Sequence, residues 1–461
     1  VSDALWAPAH ANRPVAGERA SHRGILWLVA IAILCSIWLA GFPVKPLFLG
    51  AVFIASGLAV WFAPVSAMAI VPAALPVFDL APWSGRFYLD EFDVLLAVTM
   101  SVGYVRTRGN KLADDSPSAK LLNAAVVLLG VSFLISTIRA LLPWHSPDIN
   151  SFATYFSQFN ALRITKGLFW ALVFVGFAGR IRLTSTQVLY WFSWGMALGL
   201  AATVGVIARE KLLFGGLLSY RTVYCATCPF SAIHTGGAYI ECYLAVATPF
   251  LILLIVRTGS WIQRLAGVAL LLASTYGLMA TVSRNGFPAY AVACSIGLIA
   301  TLAGESGKTK RIATAAVLAA AMLTVAIPIF KGGFAQQRMS QVGHDLNIRT
   351  AHWRDGLAMR DDEMMTELFG MGVGRYPETH YWRSREKSHA SAHGLGVDGD
   401  NVFLRIVPGN TLYVEQIVEI EPKHQYRLSL DLRSPTKGAT AGIALCEKSL
   451  LTSSQCATWK K

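Results

Sequence analysis

Apolar stretches recur along the chain, and the short loops between them are rich in Lys and Arg at every second connection. A helix that crosses a bilayer needs roughly 20 apolar residues, with about 17 to 25 tolerated. About eleven stretches meet or approach that length: 24–42, 46–63, 65–80, 90–105, 120–143, 164–179, 186–207, 239–256, 264–282, 287–303 and 312–330. The third and fourth are short, and Pro72 and Pro76 make that region irregular. Hydrophobic residues make up 54% of the chain and charged residues 15%, whereas a soluble domain averages about 25% charged. The expected fold is an all-α polytopic membrane protein of about eleven helices.

The basic residues set a direction. Arg13, Arg19 and Arg23 precede the first span, and Arg106, Arg108 and Lys111 follow the fourth. Arg180 and Arg182, Arg257 and Arg264, and Lys308, Lys310 and Arg311 fill later loops. Counting every span places all of them on one side, which the positive-inside rule makes cytoplasmic. The expected organisation is a cytoplasmic N-terminus at 1–23 and a transmembrane helical domain at 24–330. Loops 80–89, 144–163, 208–238 and 283–286, with everything after 330, face outward.

The outer region is soluble in character. Residues 331–400 read as a polar helical loop with a turn at Gly370-Met371-Gly372-Val373-Gly374. From 401 to 461 the period changes to two. Tyr426, Leu428, Leu430 and Leu432 alternate with Arg427, Ser429, Asp431 and Arg433, the pattern of a half-buried strand. Thr411 to Ile420 and Gly442 to Cys446 read as further strands of a partial β-sandwich. The chain runs from Val1 to Lys460-Lys461 with that domain unfinished, so a fragment lacking a twelfth helix is expected. The first apolar run leads directly into further spans, without a signal-peptide cleavage site.

The net charge of +13 is in part topogenic. No basic helix, zinc pattern or stacking-aromatic motif accompanies it, which argues against nucleic acid as a partner. Cys35, Cys242 and Cys294 fall in apolar spans as packing residues. Cys446 and Cys456 lie in the outer region, where an oxidising compartment allows them to pair. Cys225 and Cys228 form a CxxC without the βαβ context of a redox motif or the further ligands zinc needs. They read as a local disulfide or as two free thiols.

The candidate chemistry lies on the outer side. Arg284, in Ser283-Arg284-Asn285-Gly286, stands between two spans joined by almost no loop. It either snorkels to the headgroups or offers a forked donor set to a phosphate. Arg163 and Lys166 share a helix face at an outer end, against the inside bias, and Arg139 is a weaker member of that group. Arg221, His234 and Glu241 belong to a loop leading into a span, and Glu241 needs a partner there, an arginine or a structural ion pair. In Arg338 to Trp353, a helix would put Asp345, Arg349, His352 and Trp353 on one face. That face is either a solvated amphipathic surface or a general base, a phosphate ligand and a sugar-stacking ring. No P-loop and no outer DxD-like metal dyad is present, so no metal or other cofactor is expected.

Several stretches resemble the O-antigen ligase and O-antigen polymerase superfamily. They are the Ser283-Arg284 hairpin, Arg349…Trp353-Arg354-Asp355-Gly356-Leu357 and the glycine turn 370–374. Trp83-Ser84-Gly85-Arg86…Asp90-Glu91-Phe92-Asp93 and the stretch from Phe230 to Glu241 are similar to its exopolysaccharide-type members. Some of these carry a carbohydrate-binding-module-like β-sandwich in the outer loop, which Cys446 to Cys456 would fit. The resemblance implies a metal-independent glycosyltransferase of the bacterial inner membrane. Its donor would be a glycan on undecaprenyl pyrophosphate, and its acceptor a saccharide or lipid hydroxyl at the periplasmic face. Ligases of this kind place a His-Asn pair after the glycine turn. Here the comparable position reads Gly399-Asp400-Asn401, so Asp400, His352, His389 and His393 all stay open as the base.

The resulting assignment has His352, Asp400 and Arg284 as catalytic residues. Arg163, Lys166, Arg221, His234, Glu241, Arg338, Arg349 and Trp353 would bind substrate. The rival classes are a lipid-linked glycan transporter or flippase, which would want polar residues spread through its spans, and a non-catalytic glycan-binding membrane protein. The topology makes its own prediction. In a background without native cysteines, Ser146→Cys should react with a membrane-impermeant maleimide applied from outside, and Thr258→Cys only after permeabilisation. The reverse pattern would invert the orientation.

Overall fold

The computed structural model describes residues 22–42, 45–78, 88–110, 117–181, 183–214, 216–218, 226, 238–281, 283, 286–302, parts of 312–327, 331–385, 391–407, 409, 414, 418, 420–421, 423–434, 442–449 and 452–460. The helices follow the apolar stretches closely. They are α1 (His22–Ala40), α2 (Pro46–Phe62), α3 (Ala67–Phe78), α4 (Glu91–Arg106), α5 (Pro117–Leu141), α6 (Asn160–Ala178), α7 (Ser185–Phe214), α8 (Ala238–Arg257), α9 (Trp261–Thr281) and α10 (Gly286–Leu302).

Six of these, α1 and α5 to α9, are long and apolar enough to cross a membrane, and α2, α3 and α10 are shorter apolar helices. The number of crossings is therefore not fixed at eleven. Surface composition requires a membrane all the same. On α5, Leu121 is 75% exposed and Leu128 69%, and much of α1 and α2 is equally bare. Contiguous apolar surface of that extent is stable only against lipid. The protein is a multi-pass membrane protein.

Two apolar centres organise the bundle. In the first, α1 to α4 pack through Trp38, Phe53, Val94 and Leu95, and α6 joins through Phe177 against Met68 and Met100. In the second, α8 lies among α7, α9 and α10 through Leu200, Ile207, Leu244, Leu251, Ile255, Leu271 and Leu278. The seam between them is α3 against α7, where the two prolines matter. Pro76 has no N–H to give the carbonyl of Pro72, four residues before it. The Tyr243 hydroxyl of α8 donates to that Pro72 carbonyl at 3.3 Å. Gly199 of α7 makes the approach possible, because a Cβ there would overlap the Tyr243 hydroxyl and lie 2.8 Å from Pro72 O.

Beyond the bundle come α11 (Gly333–Ser340), α12 (Val342–Ala358), α13 (Met364–Phe369) and α14 (Tyr376–Arg383), then two antiparallel hairpins. The first pairs β1 (Ala392–Asp398) with β2 (Asn401–Val407), and the second pairs β3 (Gly442–Ser449) with β4 (Thr452–Lys460). Strand structure thus begins at Ala392, and a division at 400/401 falls inside a hairpin. Asp398 pairs with Asn401, so Gly399 and Asp400 are the two-residue turn. Gly399 has φ +61°, as the first turn position of such hairpins favours. A disulfide joins Cys446 and Cys456 across β3 and β4. The alternating stretch Tyr426 to Arg433 is exposed and belongs to no strand, so its period of two does not mark a paired strand here.

The packing at the seam is directly testable. Gly199→Leu should lower the thermal stability of the detergent-solubilised protein by about 2 kcal/mol or more. Gly205→Ala, on the same helix with nothing within 4 Å of its added Cβ, should leave it unchanged.

Candidate functional site at one end of the bundle

The polar side chains gather where α4, α6 and α8 begin and α5 and α9 end. Helix α4 starts with a capping box. The Asp90 carboxylate accepts from the Asp93 N–H at 2.9 Å, and the Asp93 carboxylate accepts from the Asp90 N–H at 3.0 Å. The Lys166 ammonium of α6 donates to Asp90 Oδ2 at 2.8 Å, Asp93 Oδ2 at 2.5 Å and the Tyr88 carbonyl at 3.1 Å. Trp170 Nε1, one turn further along α6, donates to Asp93 Oδ1 at 2.8 Å. An ammonium has three donors, and all three have acceptors. Lys166 therefore ties α6 to α4 in a fold-building role, unlike the substrate ligand that its position suggests in the sequence.

Arg163 sits one turn before Lys166 with a different set of neighbours. Its Nε donates to Asn160 Oδ1 at 2.8 Å, and its guanidinium lies 4.9 Å from the centre of the Tyr155 ring. Burial pushes the Tyr155 phenol above its ordinary range, Arg163 pulls it back, and Tyr239 on the first turn of α8 pushes it up again. Tyr88 is likewise raised by burial and lowered by Arg163. Arg163 thus acts on Tyr88, before α4, and on Tyr155, which also feels Tyr239 on the first turn of α8.

Glu241 stands one turn into α8. Ser283 hydrogen-bonds to its carboxylate, and the positive charge of Arg349 from α12 reaches it. The hairpin between α9 and α10 folds closely over it, since a Cβ on Gly286 would lie 2.8 Å from Glu241 Cβ. Glu241 Oε2 is buried and has no hydrogen-bond partner among the described residues. Arg163, Tyr155, Tyr239, Glu241 and Arg349 thus make up a polar rim at the start of α8, linked by the contact of Arg163 with Tyr155 and by the electrostatic influence of Tyr239 on Tyr155 and of Arg349 on Glu241.

The outer helices reach this rim through the glycine turn. At Gly372, with φ +103°, an added Cβ would lie 2.7 Å from the Ala140 Cα, so only glycine lets the turn meet the last turn of α5. Val373 N–H donates to the Ser136 carbonyl at 3.3 Å, and Asn160 Nδ2 donates to the Gly374 carbonyl at 2.7 Å. Arg375 donates to the Ala140 carbonyl at 2.9 Å. Arg139 donates to Thr366 Oγ1 at 3.1 Å and pairs with Glu363 at 3.6 Å, a structural role at the same joint. Strand β1 is held separately. Asn150 Oδ1 accepts from the Leu395 N–H at 2.6 Å, and its Nδ2 donates to the Leu395 carbonyl at 3.0 Å.

The remaining predicted residues divide clearly. Arg349, His352 and Trp353 lie on α12 as the helical reading requires, and all are exposed, Trp353 at 62%. Asp400 is exposed on its hairpin turn. Arg221, His234, Arg284, His389, the Cys225/Cys228 pair and the Trp83–Arg86 tract lie outside the described residues, as do the side chains of Arg338 and Asp345. Sequence reasoning assigned no site role to Asp93, Tyr155 or Asn160. The capping-box spacing of Asp90 and Asp93 was the available signal for the first; nothing local marked the other two. Among the described residues no group of three or more His, Cys, Asp or Glu could hold a metal ion.

The fold and this polar end define a multi-pass membrane protein with an interfacial polar site. No protein-family model matches the chain, and neither a curated protein nor a solved structure matches it.

The ion cluster predicts a stability effect. Lys166→Met leaves the Asp93 carboxylate, 4% exposed, without its cation and should cost about 3 kcal/mol. Thermal melts in detergent would read this, and Asp93→Asn added to Lys166→Met should recover part of the loss.

Proposed function

We propose that the protein is a membrane glycosyltransferase. It would move a saccharide from a polyprenyl pyrophosphate to an acceptor hydroxyl at the non-cytoplasmic face of a bacterial inner membrane, as the resemblance to O-antigen ligases and polymerases implies. The observation that carries this reading is the polar cluster at the start of α8: the Glu241 carboxylate has a buried oxygen without a hydrogen-bond partner among the described residues and feels the positive charge of Arg349, while Arg163 lies over the ring of Tyr155. Guanidinium groups match pyrophosphate oxygens in charge and shape, and the amino end of α8 adds a favourable dipole.

In this mechanism the acceptor oxygen attacks the anomeric carbon as the bond from that carbon to the phosphate oxygen breaks. The acceptor proton passes to Glu241, which makes Glu241 the general base in preference to the exposed His352 and Asp400. Polyprenyl pyrophosphate leaves with its developing charge held by Arg163 and Arg349. The polyprenyl tail would lie against the bare apolar faces of the bundle. Arg284, beside Ser283 in the chain, is a further phosphate ligand on this account, and Trp353 a stacking surface for sugar. The apolar spans and the concentration of charge at the rim favour surface chemistry over transport.

The test uses the protein in lipid nanodiscs with an undecaprenyl-pyrophosphate-linked repeat unit and an acceptor saccharide. Glu241→Gln should reduce transfer by about 100-fold or more, and Arg163→Ala by a comparable factor, both with normal folding. Full transfer by Glu241→Gln would remove it as the base. No transfer by the native protein would favour the glycan-binding or transport readings.

A further inference from the structure

We infer that the opposite end of the bundle carries a second site, for the headgroup of an anionic glycerophospholipid. The start of α1, the last turns of α4 and the residues after α6 line an open, mostly apolar groove of about 280 Å³. Arg23, Arg108 and Arg180 line it together with Trp27, Ser101 and Tyr104, and among the described residues no Asp or Glu lines it. The basic groups converge from parts of the sequence far apart. Topogenic charge requires only that arginines lie on this side of the membrane; it does not require three of them around one groove.

The walls are fixed by specific contacts. The Tyr104 hydroxyl donates to the Val173 carbonyl at 2.8 Å, joining α4 to α6. Asn110 Nδ2 donates to the Arg180 carbonyl at 2.8 Å, and the Arg180 guanidinium lies 5.1 Å from the Tyr104 ring centre. This arrangement sets a forked donor beside an aromatic face.

The chemistry matches a lipid better than a free ion. The groove adjoins the bare outer surface of α1, where Leu26 is 67% and Trp27 55% exposed. Trp and Tyr favour the boundary between headgroups and acyl chains. Basic pockets between membrane helices suit anionic headgroups on the cytoplasmic side, with acyl chains running along the neighbouring helix. The lipid's phosphodiester would sit among the guanidinium groups and its glycerol backbone against Trp27. The site is independent of the transfer chemistry proposed at the other end.

Native mass spectrometry of delipidated full-length protein tests this, with phosphatidylglycerol, phosphatidylcholine or inorganic phosphate added. Wild type should retain phosphatidylglycerol over phosphatidylcholine. The double variant Arg108→Lys/Arg180→Lys keeps the topogenic charge but loses the forked donors, and should weaken retention by about tenfold. Ser101→Leu fills the groove without changing charge and should also displace the lipid, which covers the case of a poorly folded double variant. Equal retention of both lipids, unaltered retention in both variants, or displacement of the lipid by millimolar inorganic phosphate would overturn the assignment.

Discussion

An ammonium and two carboxylates set among apolar helices are tolerable only when every charge has a partner. Lys166, Asp90 and Asp93 meet that condition, and Trp170 supplies the last donor to Asp93. The geometry is further restricted because the same two aspartates cap the start of α4. A shift of α6 along α4 would strand Asp93 in an apolar setting. The cluster therefore fixes the height of α6, and with it the height of Arg163 one turn away.

The polar rim depends on that position. From α6, Asn160 reaches both the Arg163 side chain and the Gly374 carbonyl. One residue thus links the membrane bundle, the cation and the outer segment. The glycine turn can lie against Ala140 because it has no side chain to exclude it. Arg349 of α12 contributes a positive charge that is felt at Glu241. Pieces of chain more than two hundred residues apart are joined by a few hydrogen bonds. The opposite end, with arginines beside aromatic rings and no lining carboxylate among the described residues, is built differently.

The helices were legible because lipid imposes length and apolarity on each of them separately. The alternation of basic loops also agrees with contacts in three dimensions. Asn110 meets Arg180, and Asn150 meets Leu395, as loops on a shared side should. Residue roles were less legible. Arg163 and Lys166 look equivalent as outer cations one turn apart, and only the tertiary structure shows that Lys166 is consumed by two aspartates. Glu241 demands a partner by its depth, but nothing in its neighbourhood names Arg349, more than a hundred residues away. The alternation at Tyr426 to Arg433 misled because a period of two requires a neighbouring strand before it becomes a sheet. Asp400 drew attention by its place in a motif, whereas its location follows from the demands of a two-residue turn.

The central claim is that a pyrophosphate group lies between Arg163 and Arg349 at the start of α8. The most direct measurement is photocrosslinking with a polyprenyl pyrophosphate that carries its reactive group beside the phosphates, followed by peptide mapping. The account predicts adducts in the peptides containing Tyr155 to Arg163 and Tyr239 to Glu241, competed by unmodified polyprenyl pyrophosphate. Adducts confined to the Arg23, Arg108 and Arg180 end, or none that unmodified lipid competes away, would contradict it.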